Sequence, residues 1–121
     1  MAHAHLVCVV DDDPDVLRST SLFLEAIGFN VVPYASGSEF LTDFPNQRPA
    51  CVLMDQRMPN LAGTDVLAAL RDLGSDVPVI LMSGHATAEL KNQLLDPSLQ
   101  LIEKPMDPDL LQRALRIAMP R

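Results

Sequence analysis

Short apolar runs alternate with helix-period stripes along the whole chain. Residues 6–10 are apolar, valine-rich and too few for a helix, so they predict a first strand. Asp13 and Pro14 then set an acidic cap before a proline at the first helical position. Val16, Thr20, Phe23, Leu24 and Ile27 recur at helical spacing, and Gly28 closes the helix. Residues 30–34 predict a second strand, and Pro33, which cannot donate to a ladder, assigns it to a sheet edge. Ser36-Gly37-Ser38-Glu39 is a capping box, Phe40 and Phe44 follow at helical spacing, and residues 45–49 are expected as a loop between two prolines. Residues 50–54 are apolar throughout, as a strand covered on both faces should be.

The second half repeats the scheme. Val66, Leu67, Leu70 and Leu73 stripe a third helix that Gly74 closes. Residues 77–82 predict a fourth strand, 87–95 a short fourth helix stopped by Asp96-Pro97, and 99–102 a fifth strand. Asp107-Pro108 repeats the cap-then-proline signal, and Leu110, Leu111, Ala114, Leu115 and Ala118 stripe the last helix. Five strands alternating with five helices predict an α/β fold, a single doubly wound domain of βα units with a parallel sheet. Right-handed crossovers and an edge position for strand two select the strand order 2-1-3-4-5.

Composition narrows the function. At 121 residues the chain is expected to be one domain, 1–121, with no output domain after the last helix. It contains no apolar run of bilayer length and no secretory signal at its start, so no membrane role is expected and the cytoplasm is the default location. The net charge of −7 argues against direct nucleic acid binding by this domain. Cys8 and Cys51 sit in apolar runs without a Cys-x-x-Cys partner and read as small buried side chains rather than a redox pair or metal site. His3 and His5 read as solvent-exposed residues of a frayed terminus rather than metal ligands.

Chemistry in an open parallel sheet belongs beyond the carboxyl ends of the strands, at the switch point between strands one and three. Asp11, Asp12 and Asp13 end strand one, Asp55 ends strand three, Ser83 strand four, and Glu103 and Lys104 strand five. A first loop with three carboxylates repels phosphate unless a cation intervenes, and crowded carboxylates need a cation or raised pKa values. A hard divalent cation such as Mg²⁺ prefers oxygen ligands and keeps positions open for water or phosphate, which converts the loop into a phosphate clamp. Asp13 is assigned mostly to capping, whereas Asp55 aims at the same point as Asp11 and Asp12.

Four motifs carry a family resemblance over essentially the whole chain: Val9-Val10-Asp11-Asp12-Asp13-Pro14, Leu53-Met54-Asp55-Gln56-Arg57-Met58-Pro59, Ser83-Gly84-His85 and Glu103-Lys104-Pro105. Together they resemble the receiver domain of two-component response regulators, and their wording is most similar to the nitrogen-fixation transcription-factor branch. The resemblance implies a flavodoxin-like sheet and a signalling switch rather than an enzyme. Asp55 is then the phosphoacceptor, served by a sensor histidine kinase or phosphotransfer protein. Asp12 ligates Mg²⁺ directly (Mn²⁺ can substitute), with Asp11 helping directly or through water and Asp55 and the backbone carbonyl of Arg57 as further ligands. Lys104 pairs with Asp55 and later with a phosphate oxygen, and the Ser83 hydroxyl turns toward the phosphate. The peptide before Pro105 is expected to be cis. Arg57 and His85 are expected to modulate attack by water on the aspartyl phosphate.

The sequence also departs from that pattern. Leu101 stands where receivers usually carry Phe or Tyr as a rotamer switch, and Leu95-Asp96-Pro97-Ser98 replaces the small-residue turn before strand five. The fourth helix is therefore expected to be short or mobile and the output route unusual. Two rivals stand beside the switch. A degenerate or stand-alone receiver would act only as a protein-binding module. A small Mg²⁺-dependent aspartyl-phosphate phosphohydrolase would carry a second acid two residues past the nucleophile, where this chain has Arg57. Kinase, signal, output and homodimer formation are left open.

Overall fold

The computed structural model describes residues 3–84, 96–104 and 107–119. Five strands, β1 (His3–Val10), β2 (Asn30–Tyr34), β3 (Pro49–Asp55), β4 (Val79–Ser83) and β5 (Leu99–Glu103), form one parallel sheet in the order β2-β1-β3-β4-β5. Four helices are described: α1 (Pro14–Ala26), α2 (Gly37–Gln47), α3 (Gly63–Asp72) and α4 (Pro108–Ala118). The predicted helix over 87–95 lies outside the described residues. None of the described helices is long and apolar enough to cross a membrane.

The helix starts follow from their caps. The Asp13 carboxylate accepts from the backbone N–H of Asp15 and Val16, and that of Asp107 accepts from Asp109, satisfying donors that a helix start leaves orphaned. Ser36 Oγ accepts from Glu39 N at 3.1 Å. At the end of α1, Gly28 takes φ +105°, Gly28 N donates to Glu25 O and Phe29 N donates to Leu24 O. This pair of hydrogen bonds needs a left-handed residue, and glycine supplies it without a Cβ penalty.

Side chains alternate across the sheet and build two core layers. Val10, Val52, Met54 and Leu81 pack with Phe40, Val66 and Leu70 of α2 and α3. Val7, Leu53, Ile80 and Ile102 pack with Leu24 of α1 and Leu111 and Leu115 of α4. Each fully buried side chain of this kind stabilises the fold by roughly 1.5–3 kcal/mol. Cys8 belongs to the first layer and Cys51 to the second. The sheet therefore separates the two thiols, both free, and burial pushes each up to about 12.

Several expectations are corrected. Pro45 lies inside α2 rather than opening a loop, and the helix runs to Gln47. Tertiary contacts hold this last turn: Phe44 stacks edge-on against Phe40, and Asp43 accepts from Tyr34 OH at 2.6 Å and from Gln47 Nε2 at 3.0 Å. A proline so near a helix end removes little of the ladder. β1 begins at His3, paired opposite Pro49, so the amino end is not frayed there. β4 begins at Val79 instead of residue 77, although the Pro78 carbonyl already accepts from Val52 N. Leu73 and Leu110, assigned to buried stripes, are 60% and 47% exposed. Leu73 follows the last helical residue of α3, and Leu110 sits beside the true seam of Leu111, Ala114 and Leu115.

Candidate functional site

The carboxyl ends of β1, β3, β4 and β5 lie side by side around one acidic cluster. Asp11 leaves β1 with its N–H bonded to the Tyr34 carbonyl, so the ladder with β2 fixes its backbone. One of its oxygens, Oδ1, accepts from Asp13 N at 2.9 Å. The other, Oδ2, is buried and has no hydrogen-bond partner among the described residues. An orphaned buried carboxylate oxygen is costly and asks for a ligand. Asp55 ends β3 and is 5% exposed, and its Oδ1 lies 2.7 Å from Lys104 Nζ.

Ligand oxygens of Asp11, Asp12 and Asp55 all lie within 4.8 Å of one another. Against these three carboxylates stands Lys104, leaving a formal excess of two negative charges, the charge of one divalent cation. Burial pushes the Asp11 carboxyl above its ordinary range, the Asp55 and Asp12 carboxylates push the same way, and the Asp13 N–H and Lys104 oppose them. An orphan oxygen, an all-oxygen donor set and a two-charge deficit fit a hard divalent cation.

Lys104 and Ser83 reach the site through the ladder. Lys104 N donates to Ser83 O at 2.8 Å, extending the β4–β5 pairing by one residue. From there the Lys104 side chain crosses the end of β4 to reach Asp55 on β3. Ser83 ends β4 and is buried. Asp13 is exposed and spent on capping, as its sequence context indicates. Arg57 is exposed, between buried Asp55 and buried Met58. Leu101 is half-buried against the α2–α3 layer, opposite Leu81. His85 and Pro105 lie outside the described residues.

Reading the sequence alone missed Gln56. Its side chain binds Thr64, and Gly63 closes against the Asp55 carbonyl, where a Cβ would come within 2.8 Å. A polar residue directly after a strand-end acid, with Gly-Thr seven residues later, is the only signal for it. A concavity of about 760 Å³ opens where β3 begins, lined by Phe44, Pro45, Pro49, Leu73 and Val77 among others. It holds no convergent group of carboxylates, so its size does not outweigh the chemistry at the other end of β3.

Residues 7–116 match the family described as response regulator receiver domain. The chain is 32% identical over 117 residues to the response regulator protein TodT of Pseudomonas putida, covering 96% of this chain and 52% of TodT. It is 33% identical over 120 residues to the tetrathionate response regulatory protein TtrR of Salmonella typhimurium, covering 98% of this chain and 57% of TtrR. The chain thus spans about half the length of the curated relatives it matches. The crystal structure of FixJ-N superposes with a TM-score of 0.85 at 28% identity, covering 98% of this chain and 95% of that one. A FixJ-like placement is therefore one of several comparable likenesses. With the acidic cluster, the Lys104–Asp55 pair and the 2-1-3-4-5 sheet in place, this chain belongs to the response regulator receiver domain family, a signalling module.

Proposed function

We propose that the chain accepts a phosphoryl group on Asp55 from a phosphohistidine of a sensor kinase or phosphotransfer protein, in the cytoplasm, and that the modified state controls an output domain or partner. The observation carrying this is the placement of Asp55: buried at a strand end, paired with Lys104 and crowded by Asp11 and Asp12. Asp11, Asp12, Asp55 and the Arg57 backbone carbonyl would hold Mg²⁺. When bound, Mg²⁺ supplies positive charge and oxygen coordination that offset repulsion between the carboxylates and a phosphoryl group.

The residues divide the remaining work. Phosphoryl transfer asks chiefly for positioning and charge stabilisation. A carboxylate oxygen of Asp55 forms the new P–O bond in line as the donor's P–N bond breaks, and the electron pair returns to the donor imidazole. Lys104 pairs with Asp55 beforehand and shifts to a phosphate oxygen afterwards. The Ser83 hydroxyl turns toward the phosphate, biasing the segment behind β4, and phosphate drives the change only by binding the two states unequally. Leu101 lacks the ring of an aromatic switch, so outward coupling uses backbone and packing shifts. Arg57 is an exposed cation and no general acid, so nothing favours the phosphohydrolase reading.

Incubation with acetyl phosphate and Mg²⁺ tests the proposal. Wild type is expected to incorporate phosphate, whereas Asp55→Asn and chelated wild type should incorporate none. Undiminished incorporation by Asp55→Asn would overturn it.

A further inference from the structure

Gln56 follows Asp55 directly and is bonded on every side. Its N–H donates to the Met82 carbonyl at 2.8 Å, prolonging the β3–β4 ladder past the acceptor. The Gln56 carbonyl accepts from Gly63 N at 2.9 Å. In the side chain, Oε1 accepts from Thr64 N at 2.9 Å and Nε2 donates to Thr64 Oγ1 at 3.3 Å. The amide orientation is dictated, because a flipped amide would set N–H against N–H. These bonds join residue 56 to residues 63 and 64, closing the neck of the loop between β3 and α3.

The neck is tight. A Cβ on Gly63 would come within 2.4 Å of Leu81 Cδ1, 2.8 Å of the Asp55 carbonyl and 3.0 Å of Gln56 Oε1. Within the loop, Met58 is buried at 7% exposure, Leu61 N donates to Pro59 O, and Ala62 N donates to Asp65 Oδ2. Arg57 thus has its backbone held on one side by Gln56 and on the other by the Met58 anchor. Its own side chain is exposed and bears none of that load.

We infer that Gln56 is a positioning residue for the cation: the Gln56–Thr64 clasp holds the Arg57 carbonyl in place beside the carboxylates of Asp11, Asp12 and Asp55. The inference rests on the proposed use of that carbonyl as a ligand. Groups that orient ligands typically matter about tenfold or more for metal affinity.

Mg²⁺ titration of unphosphorylated wild type, Gln56→Leu, Thr64→Val and Thr64→Ser by calorimetry tests this, with thermal melts without Mg²⁺ alongside. Gln56→Leu should weaken Mg²⁺ about tenfold. Thr64→Val should show an intermediate loss, and Thr64→Ser, which keeps the hydroxyl, should match wild type. Hydrogen exchange over residues 57–62 without Mg²⁺ should quicken in Gln56→Leu. Its phosphorylation rate with acetyl phosphate should recover at saturating Mg²⁺, whereas a merely structural role would lower the rate at every Mg²⁺ concentration. If Gln56→Leu does not fold, Thr64→Val carries the test. Wild-type Mg²⁺ affinity in Gln56→Leu and Thr64→Val overturns the inference while leaving Asp55 as acceptor. Failure of wild type itself to bind Mg²⁺ overturns the site reading and this inference together.

Discussion

Asp11 holds its carboxylate where water cannot reach it, with one oxygen unpartnered and two other carboxylates close by. The unliganded chain therefore carries a local electrostatic cost that a bound cation removes. Without divalent cation, Asp11→Asn is expected to melt a few degrees above wild type, because a neutral amide is cheaper to bury. With Mg²⁺ at about 100 times its dissociation constant, wild type should gain about 2.7 kcal/mol, and Asp11→Asn much less. Melts with and without Mg²⁺ check both signs, and a variant that melts below wild type without Mg²⁺ contradicts the account. At this scale the sequence was informative. Asp11, Asp12 and Asp55 could be placed from strand ends alone, and Asp13 identified itself as a cap by the proline behind it. Gln56 escaped because its partner is eight residues away across a loop, and spacing does not report a loop's closure.

Elements were legible where a local signal and the core agreed. β2 was predicted with its observed bounds, since Pro33 marks an edge and Val31 and Val32 before it each pack against a core layer. Pro45 misled because a local rule met stronger tertiary contacts from Phe44 and Asp43. The turn before β5 is likewise held by contacts that no local pattern announces. Arg71 Nε lies 2.6 Å from Asp96 Oδ2, and Arg71 also donates to the carbonyls of Ser75 and Val77. Asp96 in turn accepts from Ser98 N at 2.8 Å. This clasp ties the end of α3 to the start of β5, in the stretch where the small-residue turn is absent. The Arg71 guanidinium holds the Asp96 carboxyl below its ordinary 3.8. A carboxyl with a depressed folded-state pKa adds stability above its unfolded value and loses it as pH falls through the folded one. Asp96→Ala should therefore cost about 2 kcal/mol at pH 7, and the gap to wild type should close below 3.8. Denaturant melts across that range check it, and a gap that stays constant with pH would exclude the ion pair as its source.

The molecule as a whole separates two jobs along each strand. The strand beginnings and middles make two apolar layers, while the carboxyl ends of β1, β3 and β5 carry the carboxylate cluster and its lysine. Such a rigid sheet brings Asp11 and Asp12 after β1, Asp55 at the end of β3 and Lys104 after β5 together at one point, which loops alone seldom achieve. Parallel pairing and strand order followed from the alternating pattern, because few topologies satisfy the crossover rule and an edge strand two. The side-chain clasps did not follow, since they depend on packing between distant segments. Under the proposed function this scaffold holds Asp55 as the phosphoryl acceptor. The most direct test of this central claim is the site of the acyl phosphate: phosphorylation with acetyl phosphate and Mg²⁺, borohydride reduction, and peptide mass spectrometry. The account predicts reduction at residue 55 alone, absent from Asp55→Asn. Label at another residue, or undiminished label in the variant, would contradict it.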